Sequence, residues 1–172
     1  TVNTVASTLI AGGVIKNITK KKKKTGAGTL NFSTTTKTLR DLPEGDFLIY
    51  CDSGAIVMRN LKRLTQKLEG SCQSVMLFEL PLIESQWTQK SVFKYFDNYS
   101  EDLLLSNQIM AGFIVLKKNR ESIDFVESWL SLCCNENILL EQTDKQSVVY
   151  KGHREDQSIL SVFAKIRGIK PF

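Results

Sequence analysis

Phe47-Leu48-Ile49-Tyr50-Cys51 is an unbroken run of large apolar and aromatic residues, and it closes on Asp52-Ser53-Gly54. Such a run predicts a buried strand, and the Asp and Gly behind it predict that its carboxyl end opens at the surface. In open α/β sheets, ligands bind in the crevice beyond the carboxyl ends of the strands. An acid placed there can hold a divalent cation, and a cation can neutralise a diphosphate. The same pattern also serves as an ordinary turn, so its meaning depends on the later segments.

Those segments alternate between two periodicities. Ile56 to Glu69 predicts a helix, with Val57, Leu61, Leu64 and Leu68 at helical spacing and Arg59, Lys62, Arg63 and Lys67 between them. Gly70 follows as its stop. Ser74 to Glu79 predicts a second strand ended by Pro81, and Ile109 to Leu116 a third, interrupted by Ala111-Gly112. Asn119 is placed to cap a helix reaching about Cys133, with Ile123, Val126 and Leu130 on its buried face and Trp129 in the core. A last helix runs from about Gln157 to Arg167, between Asp156 as N-cap and Gly168 as stop. Strands alternating with helices predict an α/β sheet rather than a bundle or a sandwich. Residues 1–38 are rich in Thr, Gly, Ser and Lys and show little pattern beyond a strand over Val5 to Ile10. The division expected is therefore an irregular N-terminal part, 1–38, and a core over 39–172.

Charge and cysteine usage narrow the partners. The net charge of +5 equals the five consecutive lysines Lys20 to Lys24, a block expected to be solvated. No aromatic residue interleaves with it, so nucleic acid is not expected, while a peripheral contact with an anionic membrane stays open. No apolar run approaches the roughly 20 residues that span a bilayer. The start lacks the basic region of a signal peptide, and the missing initiator Met reads as a processed or excised piece. Cys51, Cys72, Cys133 and Cys134 lack zinc-site spacing and are expected to be buried free thiols in a reducing, cytoplasmic setting. Sequons at Asn17, Asn31 and Asn98 do not decide the compartment.

Three further segments carry polar groups in suggestive places. His153-Arg154-Glu155-Asp156-Gln157-Ser158 precedes an apolar helix whose free N–H groups favour an anion such as phosphate. Arg154 adds a forked donor, and His153, the only histidine, is a candidate metal ligand. The alternative is a helix capped by Asp156 with solvated neighbours. Ala111-Gly112 marks either a bulge or a close approach, and Asn107 and Gln108 before it are suited to sugar hydroxyls or to a loop. Trp87, with Glu84 before it, offers an aromatic platform for a sugar or a cover for the core edge.

In order, these pieces resemble the nucleotide-diphospho-sugar glycosyltransferases of the GT-A fold, particularly uncharacterised and capsule-type members. The matching elements are Tyr50-Cys51-Asp52-Ser53-Gly54, Glu84 to Thr88 (E-x-x-W-T), Gln108 to Gly112 (Q-I-x-A-G), Glu127 to Leu130 (E-x-W-L) and His153 to Leu160 (H-R-x-D-Q-S-I-L). They cover about Leu39 to Ile169. The resemblance implies a mixed, mainly parallel open sheet flanked by helices, shortened at the N-terminus. It implies a hexosyltransferase-type enzyme that moves a sugar from a nucleotide-sugar donor to a hydroxyl of a glycan or glycolipid, assisted by Mn²⁺ or Mg²⁺. By the same resemblance Asp52, Ser53, Gly54, Ala111, Gly112 and Arg154 bind the donor, and Glu84 and Trp87 the acceptor. Asp52 and His153 hold the metal, and Asp156 and Gln157 are catalytic. Gly54 stands where the family usually has a second acid, and the aromatic W-K-P segment is missing from Thr29 to Lys37. These departures point to the alternative, a non-catalytic GT-A-like domain that binds a sugar nucleotide or glycan.

Overall fold

The structure, a computed structural model, describes residues 7–12, 35–52, 57–143 and 145–172. The chain divides into two units, Thr1–Met76 with Gly112–Val126, and Leu77–Ala111 with Glu127–Phe172.

Unit 1 is built on a four-stranded sheet of order β1-β2-β6-β3. Its strands are β1 (Ser7–Gly12), β2 (Phe47–Asp52), β3 (Val75–Met76) and β6 (Phe113–Lys117). Phe47 to Cys51 are all buried, as an interior strand covered on both faces requires. Only β1–β2 is parallel; β2–β6 and β3–β6 are antiparallel, so the expectation of a mainly parallel sheet is corrected to a mixed one. A strand buried on both faces shows the same continuous apolar run in either direction, which is why the pattern did not reveal it. The pairing of β1 with β2 also brings residues 7–12 into the sheet. The expected boundary at residue 38 falls inside a helix, α1, over residues 35–41.

Helix α2 (Lys62–Glu69) is shorter than the periodicity predicted. Residues 57–61 are not helical; Asn60 Oδ1 accepts from the Lys62 N–H at 2.8 Å and turns the chain just ahead of the helix. Val57 is accordingly exposed, and Leu68 is the apolar residue that α2 buries fully.

Unit 2 carries a two-stranded antiparallel sheet, β4 (Glu79–Ile83) with β5 (Asn107–Ile109). The predicted second strand, Ser74 to Glu79, is divided: β3 ends at Met76 and Glu79 opens β4, so Pro81 is not its terminator. Pro81 lies within β4, where the ladder to β5 is irregular between Glu79 and Ile83 and the missing N–H breaks no regular rung. The predicted third strand is real in both halves but divided at Met110–Gly112, β5 going to one sheet and β6 to the other.

Helices α3 (Glu84–Trp87), α4 (Lys90–Tyr95), α5 (Glu101–Leu105), α7 (Glu136–Leu139) and α8 (Glu155–Ile166) complete unit 2. Helix α6 (Arg120–Cys133) runs across the division of the units in sequence. Asn119 caps α6 as predicted, accepting from the Ser122 N–H at 2.9 Å. Its buried residues are Ser122, Phe125, Val126, Trp129 and Cys133, so the stripe is centred on Phe125 and Trp129 rather than on Ile123 and Leu130. Helix α8 buries every residue from Ser158 to Ala164. Each fully buried Ile or Leu there contributes about 1.5–3 kcal/mol relative to exposure. The helix ends at Gly168, φ 72°, with the Gly168 N–H on Lys165 O and the Ile169 N–H on Ala164 O, the paired bonds of a Schellman stop. Its start differs from expectation: the N-cap is Arg154, and Asp156 lies within the first turn. Among the described residues no helix is long and apolar enough to cross a membrane.

Candidate functional site

In unit 1 the candidate residues gather where β2 ends. Asp52 is the exposed last residue of that strand, its N–H bonded to Gly112 O at 2.9 Å. The buried Tyr50 donates its phenolic proton to Asp52 Oδ1 at 2.7 Å. A Cβ at Gly112 would stand 2.6 Å from Asp52 Oδ2, closer than any side chain tolerates. The close approach predicted at Gly112 is therefore real, and what approaches is the Asp52 carboxylate. That carboxylate also matters electrostatically: burial, and then the Asp52 charge, raise the pKa of the Cys51 thiol. Ser53 and Gly54 lie outside the described residues, as do Lys20 to Lys24.

In unit 2 three of the matched segments meet in one hydrogen-bond network. Glu84 is fully buried and pairs with Lys165 Nζ at 2.6 Å. Its Oε1 also accepts from the Ser161 hydroxyl, and its Oε2 from the Thr88 hydroxyl at 2.6 Å. Lys165 places its remaining donors on Ser106 Oγ and the Asn107 carbonyl. Burial lowers the Lys165 pKa, and the Glu84 charge opposes that shift. Gln108, also fully buried, sets its Nε2 2.9 Å from Thr88 Oγ1 and 3.3 Å from the Trp87 carbonyl. Gln108 Oε1 receives Gln157 Nε2 at 3.0 Å, and Gln157 Oε1 faces the Ala111 N–H at 3.5 Å.

Glu84, expected at the acceptor, is enclosed at the centre of the network, since four protein groups use its two oxygens. Gln108 is likewise a core group, not a surface one. Trp87 is half-buried, with Arg154 Cζ 4.9 Å and Lys151 Nζ 5.9 Å from its ring centroid. The Arg154 side chain expected at a diphosphate thus lies over that ring, a cation–π contact of about 0.5–1 kcal/mol at an exposed site. Asp156 is half-buried; its backbone carbonyl accepts from Trp129 Nε1 at 3.2 Å, and its charge adds to the burial that raises the Cys133 pKa.

His153 has both ring nitrogens engaged. Nε2 donates to the Ile138 carbonyl at 2.9 Å, and Nδ1 accepts from the Gln89 N–H at 3.5 Å. Burial pushes its pKa down to about 4, against the pull of the Ile138 carbonyl and the Glu141 carboxylate. A neutral imidazole with two backbone partners is a packing group here, and the ligand role expected of it is not carried forward. Among the described residues no group of three His, Cys, Asp or Glu side chains is arranged to hold a metal ion. The cysteines divide evenly: Cys51 and Cys133 are buried, whereas Cys72 and Cys134 are exposed, which corrects the expectation for those two.

Of Ser158, Ser161 and Lys165, the sequence pattern pointed only to Ser158. They stand at i, i+3 and i+7 on α8, a polar line through an otherwise apolar helix, and that line was the available signal. Comparison with protein-family models, with curated proteins and with solved structures finds no match.

Proposed function

We propose that the chain is a GT-A-type glycosyltransferase moving a sugar from a nucleotide-sugar donor to a hydroxyl of a glycan or glycolipid. The supporting observation is the convergence just described. Glu84–Thr88, Gln108–Ala111 and Arg154–Ser158, far apart in sequence and matched to the family on motif alone, are joined in a single network. A buried ion pair adds little stability over apolar groups, and in this reading its use is to hold the two glutamines for polar recognition.

In this reading Asp52 serves the donor's ribose and diphosphate. Its carboxylate suits a hard cation such as Mg²⁺ or Mn²⁺, which one or two carboxylates and substrate phosphates commonly hold together. A bound cation would neutralise charge on the departing diphosphate. Tyr50 holds the Asp52 carboxylate through its phenolic bond, and Gly112 leaves room for it. Asp156 and Gln157 orient the transferred sugar and the acceptor hydroxyl. Direct proton removal by Asp156 goes with inversion; retention dispenses with it. The reaction is assigned to the cytoplasm, at a membrane surface where the acceptor is a glycolipid.

The test is nucleotide release from a panel of UDP-, GDP- and CMP-sugars with Mn²⁺, Mg²⁺ or EDTA, for the wild type and Asp52→Ala. Metal-dependent release from one donor class, lost in Asp52→Ala, is the expected result. The absence of both binding and release with every donor would refute the proposal. A second reading, a binding domain without turnover, is favoured by the engagement of His153, which leaves Asp52 as the one proposed ligand. Donor binding without release would select it.

A further inference from the structure

We infer that Glu84 fixes the polarity of Gln157, so that Gln157 offers its Oε1 as a hydrogen-bond acceptor to a hydroxyl of the ligand. The polarity follows from the network alone; the identity of the ligand as a sugar rests on the glycosyltransferase reading.

The direction of each bond can be deduced in turn. Glu84, ion-paired with Lys165, is acceptor-only. Thr88 has one hydroxyl proton, and at 2.6 Å from Glu84 Oε2 that proton goes to the carboxylate. Thr88 Oγ1 therefore has only lone pairs for Gln108, and the Gln108 atom 2.9 Å away must be the amide nitrogen. The Trp87 carbonyl, 3.3 Å from the same atom, requires a donor as well. Gln108 is left with its Oε1 towards Gln157. Two carbonyl oxygens cannot share a hydrogen bond, so Gln157 places Nε2 there, at 3.0 Å. Its Oε1 is then the other end of the amide. The Ala111 N–H at 3.5 Å agrees from the other side, because it too needs an acceptor.

That last contact is long, and a carbonyl oxygen has two lone pairs, so Gln157 Oε1 retains capacity for a further donor. The side chain is half-buried rather than enclosed. A ligand hydroxyl can supply the donor. A fluorine or ether oxygen at the same place cannot, and would leave two acceptors facing each other. Glu84 and Thr88 are thus positioning residues, acting on the ligand through Gln108 and Gln157.

The ligand-free arm of the test is hydrogen exchange of side-chain carboxamides in the ¹⁵N-labelled full chain, with the Gln157 signal assigned by its loss in Gln157→Ala. Gln157 protons are expected to exchange about tenfold or more slowly than those of an exposed glutamine. Thr88→Val should reduce that protection, the Trp87 carbonyl still holding Gln108 Nε2, and Thr88→Ser should restore it, a rescue that simple packing of the threonine methyl would not give. Unprotected Gln157 protons in the folded wild type would overturn the polarity. The ligand arm uses the nucleotide sugar selected by the donor panel and its monodeoxy and monofluoro analogues. At one ring position both analogues should bind at least about tenfold more weakly than the parent, the fluoro analogue at least as weakly as the deoxy, with the difference gone in Gln157→Ala. A fluoro analogue that binds like the parent while the deoxy analogue does not would make Gln157 a donor and overturn the inference. Protected Gln157 protons with no nucleotide sugar bound at all would overturn the ligand's identity and leave the polarity standing.

Discussion

Gly112→Ala probes the contact that shapes the end of β2. The added Cβ would fall 2.6 Å from Asp52 Oδ2 and 3.2 Å from Asp52 Cγ, against the 3.4 Å at which ordinary contact begins. The carboxylate therefore has to withdraw by about 0.8 Å, which strains its 2.7 Å bond from Tyr50. Overpacking costs about 1–3 kcal/mol, and a hydrogen bond to a charged group is worth about 1.5–3 kcal/mol. Because the Asp52 carboxylate is exposed and can rotate into water, we expect a net destabilisation of about 1–2 kcal/mol. The backbone itself accepts alanine, since Gly112 is not among the residues with positive φ. The sign should therefore reverse once the carboxylate is gone: in an Asp52→Ala background, Gly112→Ala is expected to stabilise by about 0.4–1 kcal/mol through the unfolded chain. Urea unfolding of the four proteins in this cycle measures both values. An equal cost in the two backgrounds would refute the contact as the cause.

The only histidine gives a clean titration. Its folded pKa of about 4 lies below the ordinary 6.5, so the unfolded chain binds the extra proton between those values. The stability contributed is complete above about pH 6.5 and is lost as the pH falls towards 4, a loss of about 3 kcal/mol. Proton NMR of the ring reports it, and a midpoint near 6.5 would contradict the burial. Lys165→Met should destabilise by about 3–5 kcal/mol, because Glu84 is left charged and enclosed; Glu84→Gln added to it should recover part of that loss in thermal melts. In native protein a thiol reagent should label Cys72 and Cys134 promptly, with Cys51 and Cys133 reacting only after denaturant is added. Four fast thiols would mean that β2 and α6 are not packed as described.

Legibility in the sequence tracked how local the determining physics is. The strand at Phe47, the cap at Asn119 and the stop at Gly168 were readable because each depends on a few adjacent residues. The start of α2 was misread because one amide, that of Asn60, takes the Lys62 N–H and outweighs a periodicity that continues on both sides. Pro81 was read as a terminator although an irregular ladder accommodates it, and that irregularity exists only in the pairing with β5. Strand direction was hidden because burial on both faces erases the alternation that would reveal a neighbour. Glu84, Gln108 and Gln157 were all singled out, but their partners lie up to 81 residues apart. Sequence spacing had no means of distinguishing a carboxylate that meets a ligand from one that meets Lys165.

The position of β6 has a consequence for how the protein is made. It is the last strand of the unit 1 sheet in the chain, yet it lies between β2 and β3. During synthesis both of those strands leave the ribosome with a bare edge, and all of residues 77–112 must follow before the strand that covers them arrives. For that interval Phe47 to Cys51 is a sticky nascent segment in need of chaperone cover. An expression fragment ended at Ala111 would keep it sticky permanently, however well the rest of the fragment was chosen.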